Sequence, residues 1–407
     1  MTKSFNLNNR WFYLVAGVFA MLFSGVLYAW SILKTPFMTE YKWDASVLSL
    51  NFTLTMCFFC IGAFLGSLIC KKIGPRFTLL ISGALVGLGF VLSGLLGIKT
   101  PYLLYVTYAV LAGMGIGISY NVIVSTVCAW FPDKKGLSSG ALMMGFGIST
   151  LLLGNVINTL FESSTFGWQK TYIVLGATIA LVIVLVSFIL KLPGADIELP
   201  APKMKKSVGK EIFEVRDYTT IEMLKSFTFW RAFLFLAFIT AVGNSVISFA
   251  KDLAISVNAS PDLATTLVGV LSICNGVGRI LTGAFFDAFG RRITMVSANI
   301  LTIVAAGVTL LAVLFNSLPV LIIGLCLCGL SYGSCPTITS AFPAAFYGQK
   351  HFSVNYSIMS ANLMLAALIA NLSNSILGFS GGYVAPFIML LGVAVCALIL
   401  TFTIRKP

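Results

Sequence analysis

The chain has 407 residues, of which 58% are hydrophobic and only 10% are charged, and its formal net charge is +13. A soluble domain carries about 25% charged residues, so the composition excludes an ordinary soluble globular protein. Only helices and closed barrels satisfy the backbone inside lipid, and barrel strands alternate in hydropathy over about ten residues. The apolar runs here are continuous and long enough for membrane helices, which predicts a helical membrane protein.

Twelve apolar runs follow one another along the chain, each long enough to cross about 30 Å of hydrocarbon. They cover about residues 11–33, 47–70, 77–98, 102–130, 137–160, 171–191, 229–250, 264–288, 293–315, 318–342, 353–377 and 383–404. We number them spans one to twelve. They predict an all-α membrane protein with twelve transmembrane helices in two pseudo-symmetric six-helix bundles. The first run is longer than the apolar core of a signal peptide, so we expect it to be retained.

The positive charge is unevenly distributed over the segments that join the spans. If both termini are cytoplasmic, most of the 26 Lys and Arg residues lie in inside segments, and the outside segments hold only Lys34, Lys42, Lys99, Lys170 and Lys251. This asymmetry follows the positive-inside rule. The basic balance therefore reflects topology rather than nucleic-acid binding, and it predicts a multi-pass protein of the cell membrane.

Residues 192–228 form a charged, proline-containing segment that divides the spans into six plus six. We expect an N-terminal bundle at 1–191, a cytoplasmic linker at 192–228 and a C-terminal bundle at 229–407. The halves resemble each other at an offset near 215, in three pairs: Lys71–Arg76 with Asp287–Arg292, Tyr120 with Tyr332, and Phe131–Lys135 with Phe346–Lys350. Two six-helix repeats around a midplane site are typical of secondary transporters.

One charged residue, Arg279, lies well inside a span. A guanidinium cannot lose its charge by deprotonation, and an intramembrane charge indicates a functional site by default. Its planar fork can hold a carboxylate by two parallel hydrogen bonds, and Asn275 lies one turn away on the same helix face. The alternative is a packing role, in which Arg279 holds backbone carbonyls or a tyrosine hydroxyl.

Aromatic and polar side chains within other spans are candidates for the walls of a binding cavity. Tyr28 lies midway along span one, Trp30 lies nearer its outer end, and Tyr120 and Tyr332 occupy matching places in the two halves. Asn362 in span eleven could add a neutral polar contact. The alternative for each is packing or, for the aromatic residues, an interfacial belt.

Other motifs favour structure over chemistry. Cys57-x-x-Cys60 falls within a span without a second pair nearby, so helix packing is favoured over metal or redox chemistry. Gly113-x-Gly115-x-Gly117 lacks the strand of a dinucleotide site and is better explained by close helix packing. His351 could sense pH, although a solvated interfacial histidine is favoured. We therefore expect no cofactor, no metal and no enzymatic activity.

Several motifs together carry a family resemblance. The run from Gly283 through Asp287 to Arg292 resembles the short-loop signature of the major facilitator superfamily. Five further motifs resemble the oxalate/formate antiporter family, a relative of the monocarboxylate porters: Asn9-Arg-Trp-Phe-Tyr13, Ser24-Gly-Val-x-Tyr28-x-Trp30, Trp130-Phe-Pro-Asp-Lys-Lys-Gly136, Asn275-Gly-x-x-Arg279 and Asn355-Tyr356. The resemblance implies the major facilitator fold and alternating-access transport of small carboxylates, with Arg279 as the anion ligand.

The resemblance also implies a conformational latch on the cytoplasmic side, with Asp287, Arg291 and Arg76 as its residues. Two positions depart from the family pattern. Lys71 stands at the acidic position of the signature in the first half, so only Asp287 can supply the carboxylate there. Oxalate-transporting members carry a lysine in span eleven where this chain has Leu363.

These observations favour a monomeric carrier of small organic anions, most of all monocarboxylates such as formate, lactate, pyruvate or glycolate, because a single fixed cation neutralises one charge. A second hypothesis keeps the oxalate exchange of the family. A membrane sensor or membrane-embedded enzyme is disfavoured, since the chain shows neither a long appended domain nor an intramembrane catalytic set. Spans without a central Asp or Glu favour exchange with a counter-anion or uptake with a proton carried by the substrate, and proton coupling stays open.

Overall fold

The computed structural model describes residues 9–97, 99–194, 197, 199–200 and 216–404. About half of the predicted linker, including residues 201–215, lies outside these residues. Within them the secondary structure is helical, and eleven helices are long and apolar enough to cross a membrane. One of the eleven, Leu50–Gly94, contains both span two and span three, so the twelve predicted spans are all accounted for.

The helices follow the predicted order, with short elements between the long ones. Span one consists of α1 (Asn9–Ser24), a 3₁₀ helix (Gly25–Ala29) and α2 (Trp30–Leu33), and α3 (Thr35–Thr39) follows it. The remaining elements are α4 (Ala45–Gly94), a π-helix (Tyr105–Gly113), α5 (Met114–Cys128), α6 (Lys135–Gly147), α7 (Ser149–Glu162), α8 (Gly167–Ile189), α9 (Thr220–Lys225), α10 (Phe227–Ser256), α11 (Pro261–Phe289), α12 (Arg291–Leu314), α13 (Leu318–Phe346), α14 (Phe352–Ser360), α15 (Asn362–Ser380) and α16 (Val384–Thr403).

Several predicted spans are interrupted in the structure. Span five breaks at Ile148, between α6 and α7, and span eleven breaks at Ala361, between α14 and α15. Span four begins as a π-helix before it becomes α5. Discontinuous transmembrane helices are common at the binding sites of secondary transporters, and π-helical turns often occur at functional sites. The apolar runs predict continuous spans, although Gly145 and Gly147 precede the break in span five and Ser360 and Asn362 flank the break in span eleven.

The chain divides into two compact units, whose bounds are Met1–Asp133 with Gly145–Pro202 and Lys134–Met144 with Lys203–Pro407. The first unit is packed around aromatic rings that include Phe37, Phe90, Tyr108 and Tyr172. The second has two apolar clusters, one around Phe249 and Phe387 and one around Phe235 and Phe342. The predicted six-plus-six division stays a prediction.

Exposed apolar side chains run along the outer faces of the long helices. In α8, for example, Leu181, Leu185 and Phe188 are all more than half exposed. Soluble monomers rarely expose contiguous apolar faces of this kind. Such faces suit contact with lipid, and they agree with the hydropathy of the spans.

The internal repeat is visible in the backbone. Gly74 has φ 80° and ψ 170°, and Gly290 has φ 77° and ψ 176°, a conformation that favours glycine because a Cβ is disfavoured at positive φ. The hydroxyls of Thr78 and Thr294 donate to the carbonyls of these two glycines at 2.7 and 2.8 Å. The short turns after span two and span eight therefore have the same local structure.

The start of the first unit is fixed to the loop after span four. Arg10 donates to both carboxylate oxygens of Asp133, at 2.6 and 3.0 Å, and the rings of Tyr13 and Trp130 stack with centroids 4.7 Å apart. We call the Arg10–Asp133 pair the first clamp. Two of the motifs that carry the family resemblance thus pair with each other, in a structural role.

The second unit has a comparable arrangement, which we call the second clamp. Asp217 accepts the backbone N–H groups of Gln349 and Lys350 through Oδ1, at 2.9 and 3.1 Å. The Thr220 hydroxyl donates to Oδ1 of Asn355 at 2.9 Å. The end of the linker is thereby fixed to the loop after span ten and to the start of α14.

Glycines let α11 approach its neighbours in the second unit closely. A Cβ on Gly333 of α13 would collide with the backbone of α11 at Asn275 and Arg279, and a Cβ on Gly140 of α6 would lie 2.5 Å from the Arg279 carbonyl oxygen. Small residues at such crossings allow backbone contact between membrane helices. These two close contacts fix the position of the helical turn of α11 that carries Asn275 and Arg279.

We predict that Gly333→Ala destabilises the protein by about 1–3 kcal/mol, because the added methyl group must push α13 away from α11. Thermal unfolding of the purified variant measures the effect. Gly269→Ala is the matched control, since a Cβ there meets no atom within 4 Å and alanine favours the helix. A Gly333→Ala variant as stable as Gly269→Ala would contradict this account of the crossing.

Candidate functional site

Arg279 lies deep in α11 and is 3% exposed. It precedes Asp287 by eight residues, which corresponds to about 12 Å along a helix at 1.5 Å per residue. In the part of the chain that the structure describes, no carboxylate forms an ion pair with it. The guanidinium is thus a buried cation whose hydrogen-bond partners among the described residues are neutral.

Two neutral oxygens hold the Arg279 side chain. Nε donates to Oδ1 of Asn275 at 3.1 Å, as the spacing of four residues predicted, and Nη1 donates to the backbone carbonyl of Met143 in α6. The Thr337 hydroxyl of α13 donates to the Arg279 carbonyl at 3.2 Å. The side chain thus pairs with Asn275 and holds a backbone carbonyl, as the packing alternative predicts, and its role as an anion ligand stays a prediction.

Met143 is the partner that sequence reasoning missed. It lies 136 residues from Arg279 along the chain, so no local spacing could have indicated the contact. The second terminal nitrogen, Nη2, makes no hydrogen bond to any described residue. The edge formed by Nη1 and Nη2 thus binds one neutral carbonyl oxygen. A carboxylate could accept a hydrogen bond from each of these two nitrogens.

Tyr332 lies on α13 next to Gly333 and is 6% exposed. Its hydroxyl donates to Oδ1 of Asn244 in α10 at 2.7 Å. Asn244 was missed as well, although the polar run Gly243-Asn244-Ser245 within an apolar span was a usable signal. The Tyr332 ring packs directly over Gly243, where a Cβ would collide with it.

Asn362 begins α15 at the break in span eleven and is 1% exposed. Its Nδ2 donates to the Met359 carbonyl at 2.6 Å and contacts the Thr339 hydroxyl oxygen at 3.4 Å. Its Oδ1 is buried and has no partner among the described residues. The side chain therefore has an unused acceptor within the broken span.

The remaining predicted aromatics lie in the first unit. Tyr28 and Tyr120 both meet the Phe146 ring edge-on, with centroids 5.2 and 5.1 Å away. Trp30 is 5% exposed, and its indole N–H donates to the Leu48 carbonyl at 3.1 Å. The structure thus brings Tyr28 and Tyr120 together, whereas Trp30 has its polar group already satisfied and offers only its ring.

The predicted latch residues have distinct contacts. Asp287 accepts the backbone N–H groups of Gly136 and Leu137, both at 2.9 Å, at the N-terminus of α6. A carboxylate is favourable there, because it satisfies orphan donors and faces the positive end of the helix dipole. Arg291 and Arg76 stack on aromatic rings instead, on Phe346 at 3.9 Å and on Phe188 at 4.4 Å.

His351 is half-buried at the residue before α14. Among the described residues, no group of three or more His, Cys, Asp or Glu side chains could hold a metal ion. The pH-sensing role of His351 stays a prediction.

Removing the Asp287 carboxylate should loosen the start of α6. We expect Asp287→Ala to cost about 1 kcal/mol, the usual value of a lost N-cap, and Asp287→Asn to cost less because an amide oxygen still accepts one N–H. Thermal unfolding checks the order of the three proteins. The exposed Asp252 serves as control, and an Asp287→Ala variant no less stable than Asp252→Ala would contradict the capping role.

Comparison with known proteins gives a consistent result. A family model described as Major Facilitator Superfamily matches residues 12–249 and 233–407. The chain is 30% identical over 295 residues to the oxalate:formate antiporter of Oxalobacter formigenes, covering 71% of this chain and 66% of that protein. It therefore spans just under two-thirds of the antiporter's length.

Two further relatives are matched over more of their length. Identity to the uncharacterized MFS-type transporter YhjX of Escherichia coli (strain K12) is 27% over 363 residues, covering 88% of this chain and 86% of YhjX. Identity to monocarboxylate transporter 12 of Mus musculus is 23% over 383 residues, covering 88% and 77%. The predicted resemblance to this group of transporters is confirmed.

The fold also matches solved structures. The proton:xylose symporter XylE, bound to 6-bromo-6-deoxy-D-glucose, superposes with a TM-score of 0.75 at 14% identity, covering 99% of this chain and 97% of XylE. At this identity the likeness shows the fold alone. The predicted fold is confirmed.

Proposed function

Because the chain belongs to the Major Facilitator Superfamily, we propose that it is a secondary active transporter that carries small organic anions by alternating access. The favoured substrates are monocarboxylates such as formate, lactate, pyruvate or glycolate. The observation that carries the proposal is the burial of Arg279 without a carboxylate partner among the described residues. A buried charge is costly unless it is paired, and an anionic substrate would supply the missing charge.

The contacts of Arg279 suggest how a substrate would bind. Asn275 holds Nε, which fixes the plane of the guanidinium and leaves the edge of Nη1 and Nη2 for a ligand. The two oxygens of a carboxylate match this edge in a bidentate pair. One of them would take the place of the Met143 carbonyl at Nη1. The guanidinium bond to the carbonyl is already charge-assisted, but a carboxylate would add the attraction of an opposite charge and a second parallel hydrogen bond, so the substrate would displace the carbonyl.

This exchange would link binding to movement. The Met143 carbonyl belongs to α6, and the same helix is capped by Asp287 of α11. Replacing the carbonyl with a substrate oxygen releases one of the contacts between α6 and α11 while the cap remains. We therefore assign Arg279 and Asn275 to substrate binding and Asp287 to the latch, with Arg291 and Arg76 as further latch residues. Tyr28, Tyr120, Tyr332, Trp30 and Asn362 are assigned to the lining of the substrate path.

A second candidate function is oxalate exchange, which the 30% identical oxalate:formate antiporter of Oxalobacter formigenes favours. Span eleven holds the half-buried Leu363 where the oxalate-transporting members carry a lysine, so a dianion would meet one fixed cation. The unused acceptor of Asn362 repels a second carboxylate but accepts a hydroxyl or a protonated acid. These two positions favour the monocarboxylates.

Membrane-spanning helices and the family make this a multi-pass membrane protein. We propose that it is a monomer of the cell membrane with both termini cytoplasmic, as the distribution of Lys and Arg indicates. Exchange with a counter-anion, or uptake with a proton carried by the substrate, is favoured over a proton relay, because the spans have no central Asp or Glu to carry a proton.

Transport in liposomes tests the role of Arg279. We expect Arg279→Gln to lower the uptake of labelled formate and lactate by about 30-fold or more, since losing one partner of a buried charge pair costs at least about 2 kcal/mol. Arg216→Gln, at an exposed arginine outside the spans, should transport normally. Wild-type rates of formate, lactate and oxalate uptake by a folded Arg279→Gln protein would refute the proposal.

The substrate class is tested separately. We expect unlabelled formate and lactate to compete better than oxalate in the wild-type protein, and Leu363→Lys to raise oxalate uptake relative to formate by adding a second cation. Leu363→Met is the matched control for packing. Oxalate preference in the wild-type protein would favour the exchanger, and internal anion accelerating uptake without a pH gradient would establish exchange.

A further inference from the structure

A cavity of about 470 Å³ lies in the second unit, away from Arg279, where the start of α12 meets the ends of α13 and α16. It is lined by Arg291, Arg292, Met295, Phe346, Thr401, Phe402 and Ile404. The lining is divided between two cationic side chains and a set of mostly apolar ones. Arg291 is also a proposed latch residue, but none of the lining residues belongs to the substrate-binding set proposed above.

The cationic half has no counter-charge in the described chain. The Arg291 guanidinium is half-buried and lies 3.9 Å from the centroid of the Phe346 ring, which fixes its position, while Arg292 is exposed beside it. No described carboxylate pairs with either arginine, and the first turn of α12 contains no acidic residue. The free N–H groups of that turn add to the positive potential.

A third arginine lies close to the cavity. Arg231 donates from Nη1 to the Thr403 carbonyl at 2.9 Å, and Thr403 stands between the lining residues Phe402 and Ile404. This end of α16 is therefore flanked by three cationic side chains. An occupant that satisfies them must be an anion.

The apolar half continues onto a lipid-facing surface. Met295 and Phe346 are buried in the floor, whereas Phe402 is 59% exposed at the rim. Phe402 shares one face of α16 with the exposed Val395 and Ile399, at helical spacings of four and three residues. A molecule in the cavity can thus extend along an apolar helix face that spans the membrane.

We propose that this cavity binds the phosphate headgroup of an anionic membrane phospholipid, with one acyl chain along the exposed face of α16. A free phosphate would use the arginines but leave the apolar half empty. A zwitterionic lipid would bring its own cation to a site that already holds two unpaired ones. Basic pockets between membrane helices on the cytoplasmic side are where such headgroups bind, and the positive-inside rule places Arg291 and Arg292 on that side.

The bound lipid would connect three helices. Its phosphate oxygens would bridge Arg291 and Arg292 at the start of α12, and its acyl chain would contact α16. Arg291 in turn stacks on Phe346 of α13. Anything that binds only the folded state raises its stability. The proposal depends on the membrane location of the chain and not on its substrate, so it survives even if the carboxylate proposal fails.

The test uses the purified full-length chain in neutral detergent. Phosphatidylglycerol or phosphatidylcholine is added in steps, and thermal unfolding together with native mass spectrometry measures stabilisation and the number of retained lipids. We expect phosphatidylglycerol to raise the unfolding midpoint saturably, with retention of one lipid, and phosphatidylcholine to do neither. Equal effects of the two lipids would overturn the proposal, and so would the full effect from inorganic phosphate alone.

Variants locate the site. A double variant, Arg291→Gln with Arg292→Gln, should weaken the apparent affinity for phosphatidylglycerol by about 25-fold, at about fivefold for each arginine near the surface. Arg76→Gln is the matched control, because Arg76 also stacks on an aromatic ring at a span end but lies in the first unit. If the double variant fails to fold, the exposed Arg292→Gln alone should give the fivefold loss. Unchanged affinity in a folded Arg292→Gln protein, or an equal loss in Arg76→Gln, would refute the assignment.

Discussion

The structure depends on the close contact of α6 and α11, at which a buried guanidinium meets a backbone carbonyl. Without a Cβ, Gly140 lets the α6 backbone lie against the Arg279 carbonyl, and the side chain of Arg279 then reaches Met143 one turn further along α6. Two turns away on α11, Asp287 closes the other end of the same contact at the N-terminus of α6. The Arg279 contact and the Asp287 cap thus lie at two ends of one helix seam, and the proposed binding of a substrate at Arg279 would act on the same seam that Asp287 closes.

Much of this could be predicted from the sequence. The spans follow from continuous apolar runs, the pairing of Asn275 with Arg279 follows from helix periodicity, and the repeated turn follows from the matched glycine signatures. Met143 and Asn244 could not be found in this way, because each contact joins segments far apart in the chain. Hydropathy does not predict the breaks at Ile148 and Ala361, because both runs are apolar on average.

The turns after spans two and eight share a backbone conformation but differ in charge. Gly74 and Gly290 have the same conformation, yet the carboxylate of Asp287 has its counterpart in Lys71. A duplicated framework thus carries the helix-capping carboxylate in its second copy, which is also the copy with the buried cation. The lining of the basic cavity begins with Arg291, one residue after Gly290, so the same short turn separates the helix-capping Asp287 from this cavity.

The two clamps have a consequence for biogenesis. Arg10 and Asp133 are 123 residues apart, and both are synthesised before span five, so the first clamp can close while the second unit is still being made. The partner of Asp217, Gln349, follows it by 132 residues. The second clamp therefore cannot form until spans seven to ten have been synthesised. Domains generally fold as units in the order of synthesis. The first clamp can therefore form before the second, and the second clamp can form only after ten of the twelve spans have been synthesised.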